Sequence, residues 1–269
     1  MRIDLSSVAR TPADEDRMDG SAPRSTRQMR PMGFLRLYIG GRYIWIMSGL
    51  FLLLIIGPLI GRFEIVSTHI YVGDVLLAVL LLAVARAFIE DRSHFWVCLG
   101  LGGLAMIVGV AGRYLPADAQ ATVITIALVL DALLLAYLIL LIGGDVFTTL
   151  EVDADTICGS ISVYLLISGV FASIFTILVT LDPAAFQIPD PPTGRDFSLG
   201  PDRLMAYFSL ITITTVGYGD ITPKSELARS LSNLEALVGQ LFLTVLVARL
   251  VGRHLSGVDQ RRDAAAHRR

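Results

Sequence analysis

Six apolar runs, at residues 43–61, 68–89, 94–112, 121–143, 159–181 and 227–252, dominate this chain. Each is close to or above the roughly 20 residues that a helix needs to cross a hydrocarbon layer of about 30 Å. A backbone in lipid must satisfy its own polar groups, so runs of this length select membrane-spanning helices. Composition agrees: the chain is 54% hydrophobic and only 17% charged, with mean hydropathy +0.66, which excludes an ordinary soluble domain. Cys98 and Cys158 are too few for a disulfide framework. The expected fold is an all-α integral membrane protein.

Basic residues orient the spans. Counted by alternate sides of six spans, 16 Lys and Arg fall with the two termini and the 86–92 break, and six fall on the other side. Both termini are therefore expected on the cytoplasmic side of the cell membrane. Residues 1–42 mix Arg with Asp, Ser and Pro without an apolar run and form an N-terminal tail. The first apolar run is long enough to span, so no cleaved signal peptide is expected. Lys224 is the one lysine among 22 basic residues, a bias that points to a prokaryotic source.

One polar, Gly-punctuated stretch interrupts the pattern: Thr214-Thr215-Val216-Gly217-Tyr218-Gly219-Asp220. It follows Pro201 to Ile213, which begins with Pro and an acid and reads as a helix of roughly 20 Å, too short to cross a bilayer. This combination resembles the pore of the potassium-channel family, whose Thr-Val-Gly-Tyr-Gly loops coordinate a dehydrated cation with backbone carbonyls. The resemblance covers about residues 159–252. Gly217 and Gly219 suit such a loop because carbonyls aimed at one axis demand φ > 0 at intervals. It implies ion binding by Thr215, Val216, Gly217, Tyr218 and Gly219, with the Thr215 hydroxyl at the inner mouth and Val216 and Tyr218 packed behind. Thr214, Asp220, Tyr207 and Phe208 are the implied supports, the two aromatics as a cuff and Tyr207 as hydrogen-bond partner of Asp220. Ile211 departs from members that carry a carboxylate there. One pore loop is a quarter of a filter, so the implied assembly is a homotetramer in contact with membrane lipids.

The six-span plan then divides the chain into a four-helix front domain at 43–143, a linker at 144–158, a pore domain at 159–252 and a cytoplasmic tail at 253–269. In the linker, Val146, Phe147, Leu150, Ala154 and Ile157 recur at helical spacing, predicting an amphipathic interfacial helix. Its acids Asp145, Glu151, Asp153 and Asp155 are expected to face Arg249 and Arg253 of the inner helix and couple front domain to gate. The Pro-rich stretch 182–200 is an expected irregular turret loop. Gly239 lies mid-span in the inner helix, where it is either a gating hinge or a packing contact. Gly100, Gly102, Gly103, Gly109 and Gly112 predict close packing of the third span.

Asp74 and Asp131 stand inside apolar runs, either as hydrogen-bonded acids or as ion or proton sensors. The fourth run, 121–143, has no Lys or Arg, so steep voltage gating is not expected. No cofactor besides permeant K⁺, no nucleic-acid partner, no soluble ligand domain and no enzymatic site is indicated. The alternatives are a weakly selective cation channel and a potassium-uptake transporter subunit, the latter disfavoured because such chains carry several pore loops.

Overall fold

The computed structural model describes residues 41–60, 77–78, 80–81, 83–84, 92–112, 114–149, 153–188 and 200–266. The tail before residue 41, most of the second apolar run with Asp74, Glu151 in the linker, and turret residues 189–199 lie outside the described residues. Six helices are described: α1 (Tyr43–Ile60), α2 (Arg92–Gly112), α3 (Ala117–Thr148), α4 (Ala154–Leu181), α5 (Pro201–Ile213) and α6 (Glu226–Ala266). Two short strands, β1 (Phe186–Gln187) and β2 (Thr222–Pro223), flank α5 in sequence. Segments of α2, α3, α4 and α6 are long and apolar enough to cross a membrane, and α1 is a shorter apolar helix.

Packing centres on α4, which touches α1, α3, α5 and α6. From α3, Leu134, Leu138, Ile142 and Val146, four residues apart, form a buried stripe in the core shared with Val163, Leu166 and Phe175 of α4. The buried face of α4 is also rich in hydroxyls, and these turn inward on their own helix: Ser160, Ser162 and Thr176 each donate to the carbonyl four residues back at 2.8 Å. Small, internally satisfied side chains let neighbouring helices approach closely. At Gly159 an added Cβ would lie 2.9 Å from Val146 and 3.0 Å from Tyr43.

In α2 the glycines divide. A Cβ on Gly102 or Gly112 would meet Leu81 at 2.4 Å or Val123 at 2.9 Å, whereas Gly100 and Gly103 face open space. Close packing therefore accounts for two of the five glycines directly, with Gly109 in ordinary contact with Ala127 at 3.6 Å.

The segment 144–158 is not a separate amphipathic helix, which corrects the expectation from spacing. α3 continues through Gly143 to Thr148, and a new helix starts at Ala154. The break has a local cause: Asp153 accepts from Thr156 N–H (2.8 Å) and Oγ1–H (2.6 Å), capping α4. Those bonds hold the Asp153 carboxyl below its ordinary carboxylate range. Downstream, α6 passes Gly252 without interruption, so the tail from 253 begins as a continuation of the inner helix.

Candidate functional site

α5 starts where its sequence directs. Gly200 is the N-cap, Pro201 takes the first helical position, where its missing N–H costs nothing, and Asp202 sits in the first turn beside the positive end of the helix. The helix ends at Ile213, and Thr214 closes it with its N–H on Leu210 O (3.2 Å) and its hydroxyl on the same carbonyl (2.6 Å). The chain then folds back onto this end: Thr215 N–H donates to Thr212 O (3.0 Å) and Gly217 N–H to Ile211 O (3.1 Å).

Along the loop, φ is +60° at Thr215, +49° at Gly217 and +78° at Gly219. Left-handed angles at every second residue offset the strand-like reversal of successive carbonyls, so that neighbouring carbonyls can share one side. Gly217 and Gly219 adopt these angles freely, while Thr215 carries a strain of about 1–3 kcal/mol that its anchored neighbours must hold. All residues from Thr214 to Asp220 are exposed in the isolated chain, Val216 at 52% and Tyr218 at 73%.

The supports separate by helix face. Tyr207 Oη donates to Asp220 Oδ2 at 2.8 Å, tying α5 to the far end of the loop. Burial, reinforced by this carboxylate, pushes the Tyr207 hydroxyl up to about 12. Phe208, one residue on, is buried away from the loop and meets Phe175 and Phe186 edge-on, with ring centroids 5.3 and 5.2 Å apart. It is thus part of the subunit core, and Tyr207 alone of the pair reaches the loop. Behind that cluster β1 pairs antiparallel with β2, and Lys224 N–H donates to Ala185 O at 2.8 Å. This ribbon pins the exit of the loop to the segment after α4.

The inner helix contacts the foot of α5 at Gly239. A Cβ there would lie 2.5 Å from Ile213 Cγ1 and 2.9 Å from Ile213 O, so Gly239 permits a helix-to-backbone approach. The same Ile213 carbonyl accepts from Tyr164 Oη at 2.7 Å, and the Tyr164 ring stacks on Phe242. One turn higher on α5, Ser209 joins Ser168 of α4 to Glu235 of α6. Asp131 accepts from Ser173 of α4 at 3.3 Å, a hydrogen bond between front and pore segments.

At the lower end the described acids Asp145, Asp153 and Asp155 bond as follows. Asp155 receives the N–H groups of Arg42 (3.0 Å), Tyr43 (3.0 Å) and Ile44 (3.3 Å), placing a carboxylate at the positive N-terminus of α1. Asp145 accepts from Tyr43 Oη, and Asp153 caps its own helix. Arg249 donates to the carbonyls of Val146 and Thr149 (2.7 Å) and lies over the Phe147 ring at 5.4 Å. A cation thus meets the terminal carbonyls of α3, which ties α3 to α6 through backbone oxygens. Glu151 and the Arg253 side chain lie outside the described residues.

Four participants were not anticipated from sequence: Tyr164, Ser168, Ser209 and Glu235. Glu235 gave the same signal as Asp131, an acid inside an apolar run.

Residues 202–254 match the family described as Ion channel. Two-pore potassium channel 4 of Arabidopsis thaliana is 42% identical over 67 residues, 25% of this chain and 23% of that protein. Probable potassium channel protein 2 of Methanocaldococcus jannaschii is 48% identical over 48 residues, 17% of this chain and 14% of that protein. The chain spans less than a quarter of the length of these curated relatives. No solved structure matches it. Both relatives are named as potassium channels, and the stretch that matches the ion-channel family, residues 202–254, holds most of α5, the loop and much of α6.

Proposed function

We propose that the protein is a subunit of a potassium-selective channel in which four copies bring residues Thr215 to Gly219 to a common axis. The observation that carries this reading is the alternation of positive φ at Thr215, Gly217 and Gly219 in a loop that one subunit leaves exposed. K⁺ is the cargo, and conduction is passive. In the ring, Val216 and Tyr218 pack against protein and brace the width of the filter. Thr214, Tyr207 and Asp220 hold its two ends.

The full plan has six spans with both termini on the cytoplasmic face of the cell membrane. The front helices act without steep voltage sensing, because α3 contains no Lys or Arg. Gly239 sets the distance between inner helix and filter foot, and Arg249 links the inner helix to the front domain.

The test is a bilayer recording from purified, reconstituted protein under opposed K⁺ and Na⁺ gradients. The expected reversal potential lies near the K⁺ equilibrium value. A reversal midway between the two ions would favour the weakly selective alternative, and no current across voltage, pH and membrane tension would overturn the channel reading.

A further inference from the structure

A hub of oxygen atoms lies behind the filter, where α4, α5 and α6 meet. Ser209 Oγ is 2.7 Å from Ser168 O, 2.9 Å from Ser168 Oγ and in direct contact with Glu235 Oε1. Glu235 and Ser209 are 0% exposed and Ser168 is 5% exposed, so one subunit encloses the whole group without help from a neighbour.

Counting protons decides how the hub is bonded. Each of the three oxygen–oxygen contacts needs one proton between its partners. Ser168 and Ser209 bring one each, and the Ser168 carbonyl brings none. With a carboxylate at 235, two protons must serve three contacts, and one pair of oxygens is left facing lone pair to lone pair. With a carboxylic acid the count closes. Glu235 donates to Ser209 Oγ, Ser168 Oγ donates to Ser209 Oγ, and Ser209 donates to Ser168 O, which uses the full capacity of a hydroxyl.

The second carboxyl oxygen agrees. Glu235 Oε2 is buried without a hydrogen-bond partner. An unpartnered carbonyl of a neutral acid is a modest cost, whereas half of a buried carboxylate without a partner is a large one.

We infer that Glu235 is a proton-carrying positioning residue for conduction, a neutral carboxylic acid that locks Ser209, and with it α5, to the outer and inner helices. This inference rests on the reading of Thr215 to Gly219 as the filter. The path to the filter is short. Ser209 precedes Ile211, whose carbonyl holds Gly217 N–H, by two residues on the same rigid helix. Releasing Ser209 frees the helix end on which the loop is anchored.

The experiment combines single-channel recording with infrared spectroscopy on the full chain in liposomes. In E235Q the amide can donate to Ser209 from the same place, so open-state lifetime and ion selectivity should stay at wild-type values. E235M, similar in length but without a donor, and S209A should each shorten open-state lifetime roughly tenfold, the factor associated with losing one buried hydrogen bond, at unchanged oligomer size. The wild type should also show a protonated-carboxyl stretch that disappears in E235Q and persists in D131N.

Wild-type gating in S209A, failure of E235Q equal to that of E235M, or a carboxyl band untouched by E235Q would each overturn the inference. If E235M does not assemble, S209A and the infrared band decide. A wild-type protein without selective K⁺ current would instead sink the channel reading, and the band would still report whether Glu235 holds its proton.

Discussion

A methyl group added at Gly217 would meet no atom of its own chain within 4 Å, so within that chain the cost of Gly217→Ala comes from the backbone angle and not from crowding. Left-handed backbone disfavours an L residue by about 1–2 kcal/mol, and the proposed tetramer would incur that four times around one axis. Gly217→Ala should therefore abolish selective flux, measured as rubidium uptake into proteoliposomes driven by a K⁺ gradient. Uptake at the wild-type level would show that the angle is not required. Thr215 bears the same angle without glycine's freedom, which nothing in its side chain announces. That strain became visible only with the Thr212 carbonyl in place to hold it. Tyr207 gives a pH prediction. Its folded value is raised to about 12 from an ordinary 10.0, so the bond to Asp220 contributes fully below pH 10 and is lost as pH rises through about 12. Tyr207→Phe should remove that alkaline component of thermal stability, and an unchanged melting profile between pH 10 and 12 would contradict the assignment.

Helix α6 lies against the foot of the pore helix so closely that Gly239→Ala would force a Cβ against Ile213 O. Overpacking of this kind costs about 1–3 kcal/mol, because the contact is with backbone and cannot turn aside. The expected outcome is a lower melting temperature together with altered open probability, read by calorimetry and recording on the same sample. Replacing Arg249 by Gln should have a smaller effect on stability, about 0.3–1 kcal/mol, since it removes the cation from the carbonyl end of α3. Its signature is that α3 loosens first, measured by hydrogen exchange at residues 145–149. Helix α5 was legible to the residue, because Pro201 and the Gly-rich loop mark both ends. The segment 144–158 was not. Its apolar residues keep helical spacing from α3 into α4, and such periodicity does not mark where one helix stops and the next starts. Phe208 misled for a related reason: adjacent aromatics on a helix lie about 100° apart, so Tyr207 and Phe208 could not both face the loop.

Taken as one molecule, a single subunit leaves its loop bare and exposes Leu234, Leu237, Leu241, Val245 and Val247 along α6. Such a surface suits lipid and neighbouring subunits, and the apolar runs announced it in the sequence; how the helices meet did not appear there, because the contacts depend on hydroxyls and glycines scattered through those runs. The front helices invite a prediction of their own. Each elementary charge moved through the field is worth about 2.3 kcal/mol per 100 mV, and steep sensors use three to four per subunit. Between Ala117 and Thr148 the acids Asp118, Asp131 and Asp145 are the only charged residues, with Asp131 alone mid-helix. The conductance–voltage curve in symmetric K⁺ should accordingly be shallow, and a gating charge of several units persisting in Asp131→Asn would refute this. The uninterrupted run of α6 has a mechanical corollary. From the contact at Gly239 to Ala266 the helix extends about 40 Å as a single rod. A rod of that length pivoting at one end converts a tilt of about 5° into a sideways sweep of roughly 3–4 Å at the other, so a movement too small to separate a pair of packed side chains beside the Thr214–Asp220 loop becomes, at the far tip, the width of an ion.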